Sequence, residues 1–277
     1  MIGTFVGGML STALRLEQPK LPESVNLPLL GLLCFVAGIV LSVALAALSP
    51  SFRGNHASRF AIIAWFVFAW LGINNTIEAS IFTSIGGGPT AIVSMLFLSV
   101  FVAGAVVLLF TNREREKSFS EVVRRFFHNR TAAQWAIRFS LAVLAFPVVY
   151  FFFGMPVGLM VGKFYQAQSF GLQLPSLDVV IGVQFIRSLI ALLTVLPILI
   201  AWTGSRHGFG WTFGLNLFVV AGLYGLMQAY WMPWTLRSIH TVELFLDSMV
   251  YAWLVAALLL PREPAPIRGV AAPNYTI

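Results

Sequence analysis

RSIHTVELFLDSMVYAWLVAALLL, residues Arg237–Leu260, is long and apolar enough to cross a bilayer, yet it carries Arg237, His240, Glu243 and Asp247. A membrane-spanning helix needs about 20 predominantly apolar residues. At about 100° of rotation per residue, His240, Glu243 and Asp247 fall within roughly 60° of one another and form one polar stripe. A carboxylate facing hydrocarbon is costly, so the stripe must face protein, water or an ion. It is either a functional site or a polar network that locks helices together.

Around this stretch the chain has the same character. Of 277 residues, 58% are hydrophobic and only 10% charged, and the mean hydropathy is +0.87. Ordinary soluble domains carry about 25% charged residues. These values predict an all-α polytopic membrane helical bundle. Seven apolar segments are read at about 28–49, 60–84, 91–111, 133–156, 179–202, 211–231 and 238–260. Residues 1–27 form an N-terminal segment whose apolar part, Met1 to Leu14, is too short for an untilted span. It is read as an interfacial or half-inserted helix, with an eighth span as the alternative. Residues 28–260 then make a single transmembrane bundle, and 261–277, with Pro261, Pro264, Pro266 and Pro273, an extended tail.

Lysine and arginine set the orientation. Eleven fall in the connections on one side (Arg53, Arg59, Arg113, Arg115, Lys117, Arg124, Arg125, Arg130, Arg206, Arg262 and Arg268), against Arg15, Lys20, Lys163 and Arg237 on the other. The positive-inside rule then predicts a cell-membrane protein with its N-terminus outside and its C-terminus cytoplasmic. The same rule accounts for the net charge of +7 without nucleic acid. Within the 112–132 connection, Ser118-Phe119-Ser120-Glu121 matches a capping box and is followed by apolar residues interleaved with Arg124 and Arg125. It reads as a basic amphipathic helix on the inner surface, with Arg113–Arg130 against anionic lipid headgroups.

Depth along each span, at about 1.5 Å per residue, brings the other intramembrane polar residues to the same leaflet. Glu78, with Asn74 and Asn75 one turn away, lies near the outer edge. Arg187, with Gln184 one turn above, is level with Asp247. The expected ligand-binding set is therefore Glu78, Asn74, Asn75, Arg187, Gln184, His240, Glu243 and Asp247. An arginine is almost never deprotonated, and depth makes Asp247 the expected partner of Arg187. Glu78 and Glu243 would then sit higher, with His240 and Arg237, and if the two carboxylates lie close together and dry, one of them should hold a proton. Glycines at 31, 38, 104, 214, 222 and 225 suggest close helix packing, and Pro147 and Pro197 suggest kinks. Asn75-Thr76-Ile77-Glu78 echoes His240-Thr241-Val242-Glu243, but the match covers four positions and would pair helices running in opposite directions.

Several chemistries lack their residues. Both lysines outside the basic loop, Lys20 and Lys163, fall outside the seven segments, so no Schiff-base lysine is read within a span. His56, His128 and His207 lie in connections, which leaves no facing histidine pair for haem. Cys34 is the only cysteine. No catalytic residue, metal site or cofactor is assigned. Three readings remain. The first is an outer-leaflet pocket that binds or transports a proton, cation or small polar solute. The second is an assembly subunit with membrane-protein partners. The last is an intramembrane metal-dependent hydrolase, using His240, Glu243 and Glu78 as ligands.

Overall fold

The computed structural model describes residues 2–110 and 119–261. Among them, seven helices are long and apolar enough to cross a membrane: α2 (Leu27–Leu48), α3 (His56–Phe82), α4 (Gly88–Phe110), α6 (Ala132–Gln166), α7 (Leu177–Ala201), α8 (Arg206–Gln228) and α9 (Trp234–Leu259). The chain is an all-α, multi-pass integral membrane protein. Two shorter helices complete it, α1 (Ile2–Ala13) and α5 (Phe119–His128). Helix starts follow capping chemistry: Asn26, Asn55, Thr131 and Ser205 each accept a hydrogen bond from the backbone N–H three residues on, satisfying a donor the helix itself cannot.

α1 runs antiparallel along α4. A Cβ on Gly3 would lie 2.7 Å from the Leu98 backbone, and one on Gly7 2.5 Å from that of Ser94. Glycine at both positions lets the two backbones approach, as in membrane helix pairs generally. α5 turns Val122 and Phe126 inward and keeps Arg124 and Arg125 exposed. Ser118 of the expected capping box, together with Arg113, Arg115 and Lys117, lies outside the described residues. So do Arg262, Arg268 and the tail prolines at 264, 266 and 273.

Two boundaries differ from expectation. α6 continues to Gln166, through Pro147 and Pro156, and so takes in Lys163, whose ammonium sits over the Phe164 ring at 5.3 Å. Lys163 is therefore in the last turn of a spanning helix, not outside one. Glycine packing is also uneven. Gly214 and Gly222 face Met249 and Leu244, where a Cβ would come within 2.7 Å of side-chain atoms, whereas Gly31 and Gly225 have nothing within 4 Å.

A repeat is present, but it is not the inverted one that the 75–78 and 240–243 echo would require. The N-caps Asn26 and Ser176 are 150 residues apart, as are Asn55 and Ser205, the starts of α2 and α7, and the starts of α3 and α8. Phe52 and Trp202, again 150 apart, form an antiparallel bridge. Its two hydrogen bonds are themselves exchanged by that offset: Arg53 N–H donates to Ala201 O at 2.7 Å and Thr203 N–H donates to Ser51 O at 3.0 Å. α3 and α8 each contain one π-helical stretch, at Phe68–Asn74 and Val219–Leu223. The packing follows the same pattern. α1 lies on α4 as α6 lies on α9, while α2 crosses to pack on α8 as α7 crosses to pack on α3. Equivalent helices are separated by an even number of crossings, so the two halves run in the same direction. They are related by a pseudo-twofold axis along the bundle, as in transporter folds with parallel repeats.

Candidate functional site

A cavity of about 220 Å³ opens between α3, α6, α7, α8 and α9. Its polar lining lies toward the end of the bundle that carries the 83–87, 167–176 and 229–233 connections. The 167–176 connection straps that end: Ser84 N–H donates to Gly171 O at 2.8 Å, Gln173 N–H to Phe82 O at 2.9 Å, and the Gln173 side chain to Thr83 O at 3.1 Å. The two π-helical stretches meet beside the cavity. Such turns take in an extra residue, which rotates every side chain beyond them. Asn75, just past the first, donates from Nδ2 to the carbonyl of Ala221, inside the second, at 3.0 Å.

Arg187 is buried on α7 and pairs with Glu78, not with Asp247. Its Nη1 donates to Glu78 Oε1 at 2.7 Å and its Nη2 to Oε2 at 2.8 Å, a bidentate pair. Nε donates to Asn74 Oδ1 at 2.8 Å, and Nη1 also reaches Gln184 Oε1 at 3.1 Å. The guanidinium lies over the rings of Phe146 and Tyr150. Asn74 and Glu78, four residues apart on one face of α3, are both reached by the long Arg187 side chain, a reach that comparing Cα depths leaves out.

Glu243 is likewise engaged, and not by Glu78. Its Oε2 lies 2.6 Å from His240 Nδ1, and His240 Nε2 lies 3.2 Å from the Tyr165 hydroxyl. Glu78 and Glu243 are therefore not paired with each other, the condition under which one of them would hold a proton; each has its own basic partner. The metal-ligand set His240, Glu243 and Glu78 is not assembled. Among the described residues no group of three His, Cys, Asp and Glu side chains is placed to hold a metal ion.

Asp247 is different. It lines the cavity one turn below Glu243, and its buried Oδ1 has no hydrogen-bond partner. The Trp70 Nε1 and Tyr251 hydroxyl are also cavity-lining, buried and unpartnered. Buried polar atoms are satisfied in the great majority of cases, so these three belong to a cavity where water or a bound group can supply the partners. Two bases thus face three carboxyl groups, and Asp247 is the one without a base of its own.

Of the eight residues singled out from sequence, Glu78, Asn75, Arg187, His240, Glu243 and Asp247 line this cavity, while Asn74 and Gln184 hold Arg187 from behind. The aromatic wall was not anticipated. Trp70, Phe146, Tyr150, Tyr165 and Tyr251 line it too. One signal was available: Tyr251 continues the His240, Glu243 and Asp247 stripe by a further turn. Arg237 stands apart, its guanidinium over Trp234 and its Nε donating to Met232 O at 3.2 Å. No known protein family, curated protein or solved structure matches the chain.

Proposed function

We propose that this membrane protein binds a small organic cation, an ammonium compound of a few heavy atoms, in the cavity between its two halves. Asp247 is the counter-ion. The observation that carries the reading is the unpartnered Asp247 oxygen in a cavity whose other two carboxylates are already paired. A cation would supply the missing charge and, if it carries N–H groups, the missing donor. Aromatic faces such as Trp70 and Tyr251 add cation–π attraction in a site screened from water. The lysine and arginine count supports a cytoplasmic C-terminus, and in that orientation the cavity lies in the outer half of the membrane and draws its ligand from outside. Parallel repeats with a site between them support transport over storage of the bound cation.

The test is a thermal-unfolding titration of the purified chain with methylammonium, tetramethylammonium and choline, against sodium at matched ionic strength. At least one ammonium ion raises the midpoint, and Asp247→Asn removes the rise. If every ammonium ion behaves as sodium does, the reading is wrong. In that case the cluster is a packing network, and consistent co-purification of other polytopic chains would identify an assembly subunit.

A further inference from the structure

The cavity has two unlike ends. Glu78, His240 and Glu243 line it toward the 83–87, 167–176 and 229–233 connections, whereas Trp70 and Tyr251 line it further in. Trp70 precedes Glu78 by eight residues on α3, and Tyr251 follows Glu243 by eight on α9. The two helices run in opposite directions, so both aromatic residues fall about two helical turns deeper than the carboxylates. Both rings pack edge-on against Phe146, their centroids 6.1 and 5.5 Å from its own, and so belong to one part of the wall.

Each residue brings a polar atom as well as a ring face. Trp70 is 3% exposed and Tyr251 2% exposed, and neither the indole Nε1 nor the phenol oxygen has a hydrogen-bond partner. An indole N–H can only donate, and a phenol both donates and accepts. A donor buried without an acceptor is costly. Phenylalanine at 251 would keep an aromatic face for cation–π contact and avoid that cost, so the ring alone does not account for tyrosine there.

The Tyr251 hydroxyl also shares a helix face with the carboxylate of Asp247. Residues four apart on a helix have Cβ atoms about 5–6 Å from each other, yet the two side chains are not bonded together. A ligand lying between them would present a positive charge to Asp247 and an oxygen to Tyr251. The charge on that oxygen follows from the remaining lining. A carboxylate or phosphate would call for a cationic partner, and the two bases that line the cavity are engaged, Arg187 with Glu78 and His240 with Glu243. Trp70 and Tyr251 offer neutral donors. The matching acceptor is a neutral oxygen, and a hydroxyl can in addition return a proton to the phenol oxygen.

We propose that the ligand is an amino alcohol, with its ammonium group at Asp247 and its hydroxyl, two carbons away, accepting from Tyr251 or Trp70 at the inner end. This inference rests on the cation reading and narrows it. Alkylammonium ions without a hydroxyl bind more weakly, and ammonium compounds that carry a carboxylate are rejected.

The experiment titrates the purified full chain with matched compounds and follows its unfolding midpoint. Ethanolamine is set against propylamine, and choline against propyltrimethylammonium; within each pair a hydroxyl replaces a methyl group. Glycine and glycine betaine supply the carboxylate. In at least one pair the hydroxyl member reaches half of its full effect at about a tenfold lower concentration than its partner, and the carboxylates have no effect. Tyr251→Phe deletes one unpartnered oxygen and leaves the ring packing in place. Either it or Trp70→Phe brings the two members to within about twofold of each other. If the methyl members act as strongly as the hydroxyl members in both pairs, the amino alcohol is overturned while the cation reading stands. A carboxylate compound as effective as the hydroxyl members overturns it too, as does a preference that persists in both Phe variants. No response to any ammonium ion overturns the cation reading, and this inference with it.

Discussion

Arg187 and Glu78 face each other through two parallel contacts of 2.7 and 2.8 Å, in a pair whose guanidinium is buried and whose carboxylate is about a quarter exposed. Removing one partner of a buried pair leaves the other uncompensated, which costs about 3–5 kcal/mol. Glu78→Gln is therefore expected to destabilise the bundle by about 3 kcal/mol, the lower end, because Glu78 keeps some contact with solvent. Replacing both partners with apolar residues, as in Glu78→Leu with Arg187→Met, is expected to recover most of that loss. Reversible unfolding in mixed micelles measures both. If the double variant is no more stable than the single, the pair is doing something other than cancelling charge.

The opposite sign is expected at Asp247. Its carboxylate has a buried oxygen without a hydrogen bond, so the folded, ligand-free protein gains nothing from the charge there. Asp247→Asn should leave stability unchanged or raise it by about 1 kcal/mol, while abolishing the ammonium response. Protons and a cation compete for the same carboxylate, so that response should weaken as the pH falls and show no such trend in the Asn variant. The charged groups facing Asp247 from its own and neighbouring helices, Glu243, Glu78 and Arg187, are retained in both proteins. A response in Asp247→Asn as large as in the parent would remove Asp247 from the site.

Much of this was legible because intramembrane charge is rare and helical phase is regular. The stripe of His240, Glu243 and Asp247 lies on an uninterrupted α-helix, and all three side chains line one cavity. The partner of Arg187 was misjudged because Cα depth alone favoured Asp247, whereas the long guanidinium side chain reaches Glu78 and Asn74 on α3. The repeat was hidden for another reason. What the halves share is capping positions, a bridge and two π turns, and those are met by different residues: Asn against Ser at the caps, Phe against Trp at the bridge. Backbone requirements recur in kind, and a search for repeated letters does not find them.

Glycine substitutions separate positions that face a helix from positions that do not. A Cβ on Gly222 would lie 2.7 Å from Leu244 Cδ1 and 2.9 Å from its Cβ, inside the contact that holds α8 against the site-bearing α9. Gly222→Ala is expected to destabilise by about 1–3 kcal/mol, the usual cost of overpacking, and Leu244→Ala should partly rescue it. Gly225 has open space around its Cβ direction, so Gly225→Ala is expected to be neutral or to stabilise by about 0.5–1 kcal/mol through helix propensity. Thermal unfolding of the two single variants side by side decides this. Equal losses would mean that the spacing between α8 and α9 is not set by Gly222.

Ser51 and Thr203 test the pseudo-twofold arrangement directly. They flank the Phe52 and Trp202 bridge, with Thr203 N–H and Oγ1 both 3.0 Å from Ser51 O. Residues opposite each other in an antiparallel pair have Cα atoms about 4.5–5.5 Å apart, within the range a disulfide spans. Cys34 is the only native cysteine, so Cys34→Ser gives a clean background. Ser51→Cys with Thr203→Cys should then oxidise readily to an intramolecular disulfide in the folded protein. A protease site placed at 111–118, between the halves, makes the bond visible: the cut chain should run as one species on non-reducing gels and as two after reduction. Two fragments without reduction would mean that the halves do not meet at this bridge, and the shared axis on which the cavity is built would fall with it.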